Sequence, residues 1–133
     1  MAITIDTSAL AAVVFGESDA SSFAAVMLAH AGDCTVSAAS LVEAAIVVEA
    51  KQGPEAAHDL HLLIDRIRAE IVPVDAEVAA IAVAAWQRFG KGRHPAALNF
   101  GDCFSYAQSK VSSAPLLYKG DDFTQTDVAR VGR

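Results

Sequence analysis

Four acidic residues stand at positions where a carboxylate could do chemistry: Asp6, Glu43, Asp102 and Asp122. Like charges repel, and at a separation of roughly 4 Å and an effective dielectric of ~20 each pair costs about 4 kcal/mol. A divalent cation relieves that repulsion, and Mg²⁺ and Mn²⁺ prefer carboxylate oxygens as ligands. Such ions can clamp a phosphodiester, activate a water molecule and stabilise the leaving oxygen. If the four side chains converge, the sequence predicts metal-dependent phosphodiester hydrolysis.

Two of the acids follow apolar, strand-like runs. Asp6 comes directly after residues 3–5, and Asp122, with Asp121 beside it, follows residues 116–118. Both positions also have a structural interpretation. Asp6 precedes two hydroxyl residues and can cap a helix that begins there, while an acidic turn after a strand is common. The structural and the functional interpretation both stay open at these positions.

The other two acids are predicted on helices. The neighbours of Glu43 at helical spacing include no basic residue, so burial of its carboxylate would be costly unless it binds a metal. A capping box with Ser40 is the alternative explanation. Asp102 stands three residues after Asn99, where an acid also suits the helix dipole. The adjacent Gly101 leaves room for a metal ion, a substrate or another stretch of backbone.

Strand-like and helical runs alternate along the chain. The predicted strands are 2–5, 34–37, 71–74 and 115–118, and the predicted helices are 7–14, 19–29, 40–52, 54–69, 76–89 and 100–112. We expect Ser40, Asp75 and Asn99 to cap the helices that they open, and Pro73 to place the third strand at a sheet edge. This alternation predicts a mainly parallel sheet covered by helices on both faces, with ligands at the carboxyl ends of the strands.

The length of 133 residues predicts one domain over residues 1–133. With 53% hydrophobic and 20% charged residues, the composition is typical of a chain with a packed interior. The net charge of −6 argues against an RNA partner unless bound cations change the local charge. Cys34 and Cys103 have no neighbouring cysteine or histidine at zinc-site spacing. The absence of a leader-like or membrane-length apolar run predicts a cytoplasmic protein without a membrane partner.

Four segments, in this order, resemble the PIN-domain ribonucleases, and most closely the VapC-type toxins of bacterial toxin–antitoxin pairs. They are residues 5–10 (Ile-Asp-Thr-Ser-Ala-Leu), 39–43 ending in Glu43, 98–103 (Leu-Asn-Phe-Gly-Asp-Cys) and 117–123 (Leu-Tyr-Lys-Gly-Asp-Asp-Phe) with Thr126 and Asp127. The resemblance covers essentially the whole chain. It implies a three-layer α/β/α PIN-like domain and endonucleolytic cleavage of RNA that depends on Mg²⁺ or Mn²⁺. It also implies a homodimer and a complex with a cognate antitoxin protein.

The resemblance assigns roles to individual residues. Asp6, Glu43 and Asp102 fall on the three most characteristic acidic positions, which bind metal and carry catalysis. Asp122 falls on the fourth, more variable position, where Asp121 could share or replace it. Ser8 matches a hydroxyl that supports the first acid, and Asn99 matches a polar position beside the third.

Two other classes of function are weighed against this one. A metal-dependent phosphatase with Asp6 as nucleophile would want a second acid two residues later, where the chain has Ser8. A non-catalytic module would use the acids only to bind arginines of the antitoxin. For an RNA substrate, a basic rim could come from Arg88, Lys91, Arg93 and Lys119, with His94 as a further contact; a solvated role is as reasonable for each.

Overall fold

The computed structural model describes residues 1–132, so residue 133, the last of the predicted domain, lies outside the described part. The strands are β1 (Ile3–Ile5), β2 (Cys34–Ser37), β3 (Glu70–Val72) and β4 (Leu116–Leu117). The helices are α1 (Thr7–Phe15), α2 (Ala20–Ala29), α3 (Ala38–Gln52), α4 (Pro54–Arg66), α5 (Ala76–Phe89) and α6 (Phe100–Ser112). The strands lie in the order β3-β2-β1-β4 and every neighbouring pair is parallel. The predicted three-layer α/β/α arrangement is confirmed.

Two apolar clusters hold the helices against the two faces of the sheet. Side chains alternate between faces along a strand, and β4 shows this directly. Leu117 packs with the cluster built on helices α1 to α4, whereas Leu116 packs with the cluster built on α5 and α6. Thr4 of β1 also faces α6, because its hydroxyl lies 3.3 Å from the Ser112 hydroxyl. Helices therefore cover both faces, as a parallel sheet requires.

The strand order decides where the acids meet. β1 and β4 are parallel neighbours, with Ile5 opposite Leu117, and the Asp6 amide donates to the Leu117 carbonyl at 3.0 Å. The chain therefore leaves both strands at the same edge of the sheet. Asp6 and the segment after β4 lie side by side there, although more than a hundred residues separate them in sequence.

The prediction that Ser40 caps α3 is wrong. The helix begins at Ala38 and its N-cap is Ser37, whose hydroxyl accepts from the Ala39 amide at 3.3 Å. Ser40 is buried inside the first turn, and its hydroxyl pairs with that of Ser105 at 2.9 Å. Because the helix starts directly at the end of β2, Glu43 lies in the second turn and is not part of a capping box with Ser40.

The other boundaries differ by smaller amounts. β3 lies at the sheet edge, as Pro73 predicts, and ends before that proline. α4 ends at Arg66 rather than near residue 69, and Arg68 adopts the left-handed conformation with φ 51°. The C-terminal segment forms no strand, but a single parallel bridge joins Arg130 to Leu116. None of the helices described is by itself long and apolar enough to cross a bilayer; α1 and α2 reach that length only together, around a bend of 119°.

Candidate active site

The two carboxylate oxygens of Asp6 lie in different surroundings. Oδ2 caps α1, accepting from the Ser8 amide at 2.9 Å and from the Ser8 hydroxyl at 2.6 Å. Oδ1 is buried, and none of the residues described donates a hydrogen bond to it. A buried charged oxygen without a partner is costly. Capping therefore explains one half of this side chain, and the other half is free to bind a cation.

Asp102 is also both a capping residue and a buried acid. Its amide donates to Asn99 Oδ1 at 2.8 Å, and its Oδ2 accepts from the Asn99 amide at 3.0 Å, which completes a capping box at the start of α6. The side chain is only 7% exposed. Burial raises the pKa of Asp102 to about 8; the Asn99 amide opposes this shift, and the charges of Asp6 and Asp122 add to it. These three acids therefore lie within interaction range of one another.

The structure distinguishes the two consecutive acids after β4. Asp122 is the one whose carboxylate lies within hydrogen-bonding reach of Asp102 and raises its pKa. The backbone carbonyl of Asp121 accepts from the amide and hydroxyl of Thr124, which closes a turn. Phe123 is buried and packs against the Tyr118 ring, with centroids 5.1 Å apart. The buried ring anchors this segment immediately after Asp122.

Glu43 reaches the same end of α6 from a different side. A Cβ built on Gly101 would overlap Glu43 Oε2 and lie 2.5 Å from Cδ, so the carboxylate packs directly on the glycine next to Asp102. Glu43 also lines a groove of about 260 Å³ together with apolar side chains of α3 and α6. Gly101 thus leaves room for the Glu43 carboxylate, a neighbour that sequence alone did not identify.

The residues present fit a hard divalent cation. Carboxylate oxygens are the ligands such ions prefer, and Asp6 Oδ1 is a buried oxygen that lacks a donor among the described residues. Within residues 1–132, no three His, Cys, Asp or Glu side chains are already gathered tightly enough to hold a metal ion. A site with three or more carboxylate ligands therefore requires movement of Glu43 or Asp122, which are both less buried than Asp6 and Asp102.

A stability cycle tests the packing of Glu43 on Gly101. Alanine in place of Gly101 would stabilise α6 by about 1 kcal/mol through its higher helix propensity. However, the new Cβ must displace the Glu43 carboxylate. We expect Gly101→Ala to be nearly neutral in the wild-type background and to stabilise the Glu43→Ala variant by about 1 kcal/mol. Urea unfolding measures both steps. Equal effects in the two backgrounds would show that the two residues do not interact.

Most of the predicted basic rim is engaged in other contacts. Lys119 Nζ lies 3.1 Å from both Glu17 and Asp19, and Arg88 pairs with Asp127 at 3.4 Å. The Arg93 guanidinium stacks over the Trp86 ring, 4.7 Å from its centroid, and donates to the Gln87 carbonyl. His94 Nδ1 accepts from the Ala96 amide at 3.0 Å, which favours a structural role. Lys91 remains exposed beside a groove between α5 and α6.

Sequence reasoning missed one anchor near the C-terminus. Asp127 accepts from the Tyr106 hydroxyl at 2.6 Å and pairs with Lys110 at 3.2 Å. Burial favours the neutral form of Asp127, but the bonds from Tyr106 and Lys110 prevail and lower its pKa. The contacts tie the last segment to α6. The sequence shows an acid near the end of the chain, but nothing local identifies its partners.

Comparison with known proteins agrees with this geometry. The PIN domain family profile matches residues 3–129. Ribonuclease VapC30 of Mycobacterium tuberculosis is 47% identical over 130 residues, which cover 97% of this chain and 98% of the relative. Ribonuclease VapC of Mycolicibacterium smegmatis is 47% identical over 129 residues, covering 97% and 99%.

A solved structure supports the fold independently. The crystal structure of Mycobacterium tuberculosis VapC20, described as a Sarcin-Ricin loop cleaving toxin, superposes with a TM-score of 0.80 over 98% of both chains at 18% identity. At that identity the likeness speaks for the fold alone. The family match and the 47% identical relatives go further. The chain therefore belongs to the PIN-domain family, in its VapC-type group of ribonucleases.

Proposed function

We propose that this protein is a Mg²⁺- or Mn²⁺-dependent endoribonuclease, formed by one nuclease domain over residues 1–133. The observation that carries the proposal is the buried Oδ1 of Asp6, which has no donor among the described residues, close to the buried Asp102. Two neighbouring buried carboxylates repel each other and so destabilise the fold, but together they can bind a divalent cation. The names of the 47% identical relatives supply the substrate class, RNA.

Each acid has a separate task in this proposal. Asp6 and Asp102 are the primary metal ligands and catalytic residues, and Glu43 and Asp122 complete the set by rotating toward them. When bound, the divalent cation supplies Lewis acidity and lowers the pKa of a water that attacks the phosphorus. Ser8 holds Asp6 in orientation through its amide and hydroxyl, and Asn99 holds Asp102 through its amide. All three of these bonds go to Oδ2, so that they engage only one oxygen of each acid.

The assay for this proposal is cleavage of an end-labelled RNA by the purified protein. We expect cleavage with Mn²⁺ or Mg²⁺, none after chelation with EDTA, and recovery when the metal is added back. Cleavage that survives chelation would contradict metal dependence. A protein that binds an antitoxin tightly but never cuts RNA would instead be the non-catalytic module.

We also propose that the protein is a homodimer. Six exposed apolar side chains form a continuous surface over α3, α5 and α6: Val42, Ile46, Val47, Val83, Trp86 and Phe100. Exposed apolar patches of this kind mark association surfaces. Light scattering should give twice the chain mass, and Ile46→Asp should reduce it to one chain, whereas Leu28→Asp, at an exposed apolar position on α2, should not. A single-chain mass for the wild type would contradict the dimer.

The proposed biological setting is the cytoplasm, where the protein acts as the toxin of a type II toxin–antitoxin system. Its inhibitor would be a cognate antitoxin whose basic side chain enters the acidic pocket, because a cationic group can replace the metal there electrostatically. Co-purification with the product of the adjacent gene, followed by loss of RNA cleavage in the complex, tests this. An adjacent product that leaves cleavage unchanged would not be its antitoxin.

A further inference from the structure

The segment that carries Asp122 is tied to the rest of the site by one lysine. The backbone amide of Lys119 donates to the Ser8 hydroxyl at 2.9 Å, and that hydroxyl donates to Asp6 Oδ2 at 2.6 Å. A continuous chain of hydrogen bonds therefore runs from Lys119 to the first acid. It fixes the start of the segment relative to Asp6.

The side chain of Lys119 makes a second connection. Its Nζ lies 3.1 Å from Glu17 Oε2 and 3.1 Å from Asp19 Oδ1, in the turn between α1 and α2. These contacts join parts of the chain about a hundred residues apart. The side chain of Lys119 is 34% exposed and that of Asp19 33% exposed, so the bridge is partly sheltered from water.

The chain geometry passes this constraint to Asp122. Gly120 turns the backbone with φ 93°, a conformation that favours glycine. Asp122 follows two residues later, beside Asp102, and the buried Phe123 anchors the far end. The position of the exposed Asp122 is therefore set by Lys119 on one side and Phe123 on the other.

We propose that Lys119 is a positioning residue that holds Asp122 beside Asp102 by anchoring the segment after β4 to the Gly16–Asp19 turn. The role in metal binding rests on the proposed function, whereas the anchoring itself does not. Partly exposed ion pairs contribute little to stability. Ligand placement is more sensitive, because loss of a group that orients a metal ligand typically lowers affinity by about 10- to 100-fold.

The test is Mn²⁺ binding by isothermal titration calorimetry, without RNA. Lys119→Met keeps most of the unbranched side chain and removes its charge, and we expect a Kd for Mn²⁺ about tenfold higher. Lys119→Arg should restore a Kd close to that of the wild type. Glu17→Gln combined with Asp19→Asn should reproduce the effect of Lys119→Met from the other side. Arg66→Met, which removes an exposed positive charge in the last turn of α4, is the control and should leave the Kd unchanged.

A double-mutant cycle separates positioning from a general structural role. If Lys119 acts through Asp122, then Lys119→Met should add little to the loss already caused by Asp122→Asn. If the increases in Kd caused by Lys119→Met and Asp122→Asn instead multiply in the double variant, the proposal is overturned. A Kd for Lys119→Met equal to that of the wild type would also overturn it. Asp121→Asn is the control for the neighbouring acid.

A metal-free measurement makes failure of this inference distinguishable from failure of the proposed function. Hydrogen–deuterium exchange of a peptide covering residues 117–123 should speed up in Lys119→Met and not in Arg66→Met. Faster exchange in a protein whose wild type neither binds Mn²⁺ nor cuts RNA would support the anchor and contradict the proposed function. Unchanged exchange and binding in Lys119→Met, with an active wild type, would overturn the anchor alone.

Discussion

Replacing Asp6 with asparagine is expected to lower RNA cleavage by roughly 10²- to 10³-fold, the size typical of removing one electrostatic group from a catalytic centre. Asparagine retains an acceptor oxygen for the Ser8 amide, so the cap of α1 survives. What it loses is the negative charge and the second oxygen, Oδ1, which is buried without a donor among the described residues. Initial rates with a labelled RNA in Mn²⁺, together with circular dichroism, separate loss of chemistry from loss of fold.

Asp75→Asn is the matched control for this experiment. Asp75 is also an N-cap, accepting from the Val78 amide at 2.9 Å at the start of α5, and it lies outside the acidic cluster. It receives the same substitution and should cut RNA at the wild-type rate. Equal cleavage by Asp6→Asn and the wild type would point to a contaminating nuclease and contradict catalysis by this site.

Replacing Asp102 with asparagine is expected to stabilise the metal-free protein at pH 8 while removing Mn²⁺ binding. The pKa of Asp102 is about 8 in the folded protein, above the ordinary value of 3.8. Between these two pH values, the folded state therefore holds a proton on Asp102 that the unfolded state has released. The contribution of this group to stability is complete below about pH 4 and decreases as pH rises, by up to about 1.4 kcal/mol per pH unit, until about pH 8.

Asparagine resembles the protonated carboxyl and can still accept from the Asn99 amide. We expect a melting temperature higher by on the order of 10 °C at pH 8 in EDTA, and a smaller dependence on pH between 4 and 8. Mn²⁺ at a hundredfold excess over Kd should narrow this difference, because it stabilises only the wild type, by about 2.7 kcal/mol. Calorimetric melting of both proteins and of Asp75→Asn measures this. A lower melting temperature for Asp102→Asn in EDTA would contradict the conclusion that burial and neighbouring acids disfavour the charged form of Asp102.

Helix boundaries set by local chemistry could be predicted from the sequence. Asp75 and Asn99 cap α5 and α6 as expected, because an N-cap needs only its own side chain and an amide two or three residues later. The same reasoning failed at α3. Ser37 and Ser40 are equally good caps locally, and the end of β2 decides between them.

The identity and order of the acids could likewise be predicted from the sequence, because carboxylate chemistry depends on residue type. Which acids meet is a property of the tertiary structure. The parallel pairing of β1 with β4 brings the segment after β4 to Asp6, and it places Asp122 rather than Asp121 beside Asp102. It also pairs Lys119 with Glu17 and Asp19, whereas the sequence left a contact with RNA and a solvated role equally open for this residue.

The two capping interpretations show the difference most clearly. Local sequence treats capping and metal binding as alternatives for Asp6 and Asp102, whereas in the folded chain each acid caps its helix and is also placed where the proposed metal would bind. One oxygen of each acid accepts hydrogen bonds from its own helix N-terminus. Burial next to another carboxylate, which only the packing of distant elements creates, is what raises the pKa of Asp102 and leaves Asp6 Oδ1 without a donor among the described residues.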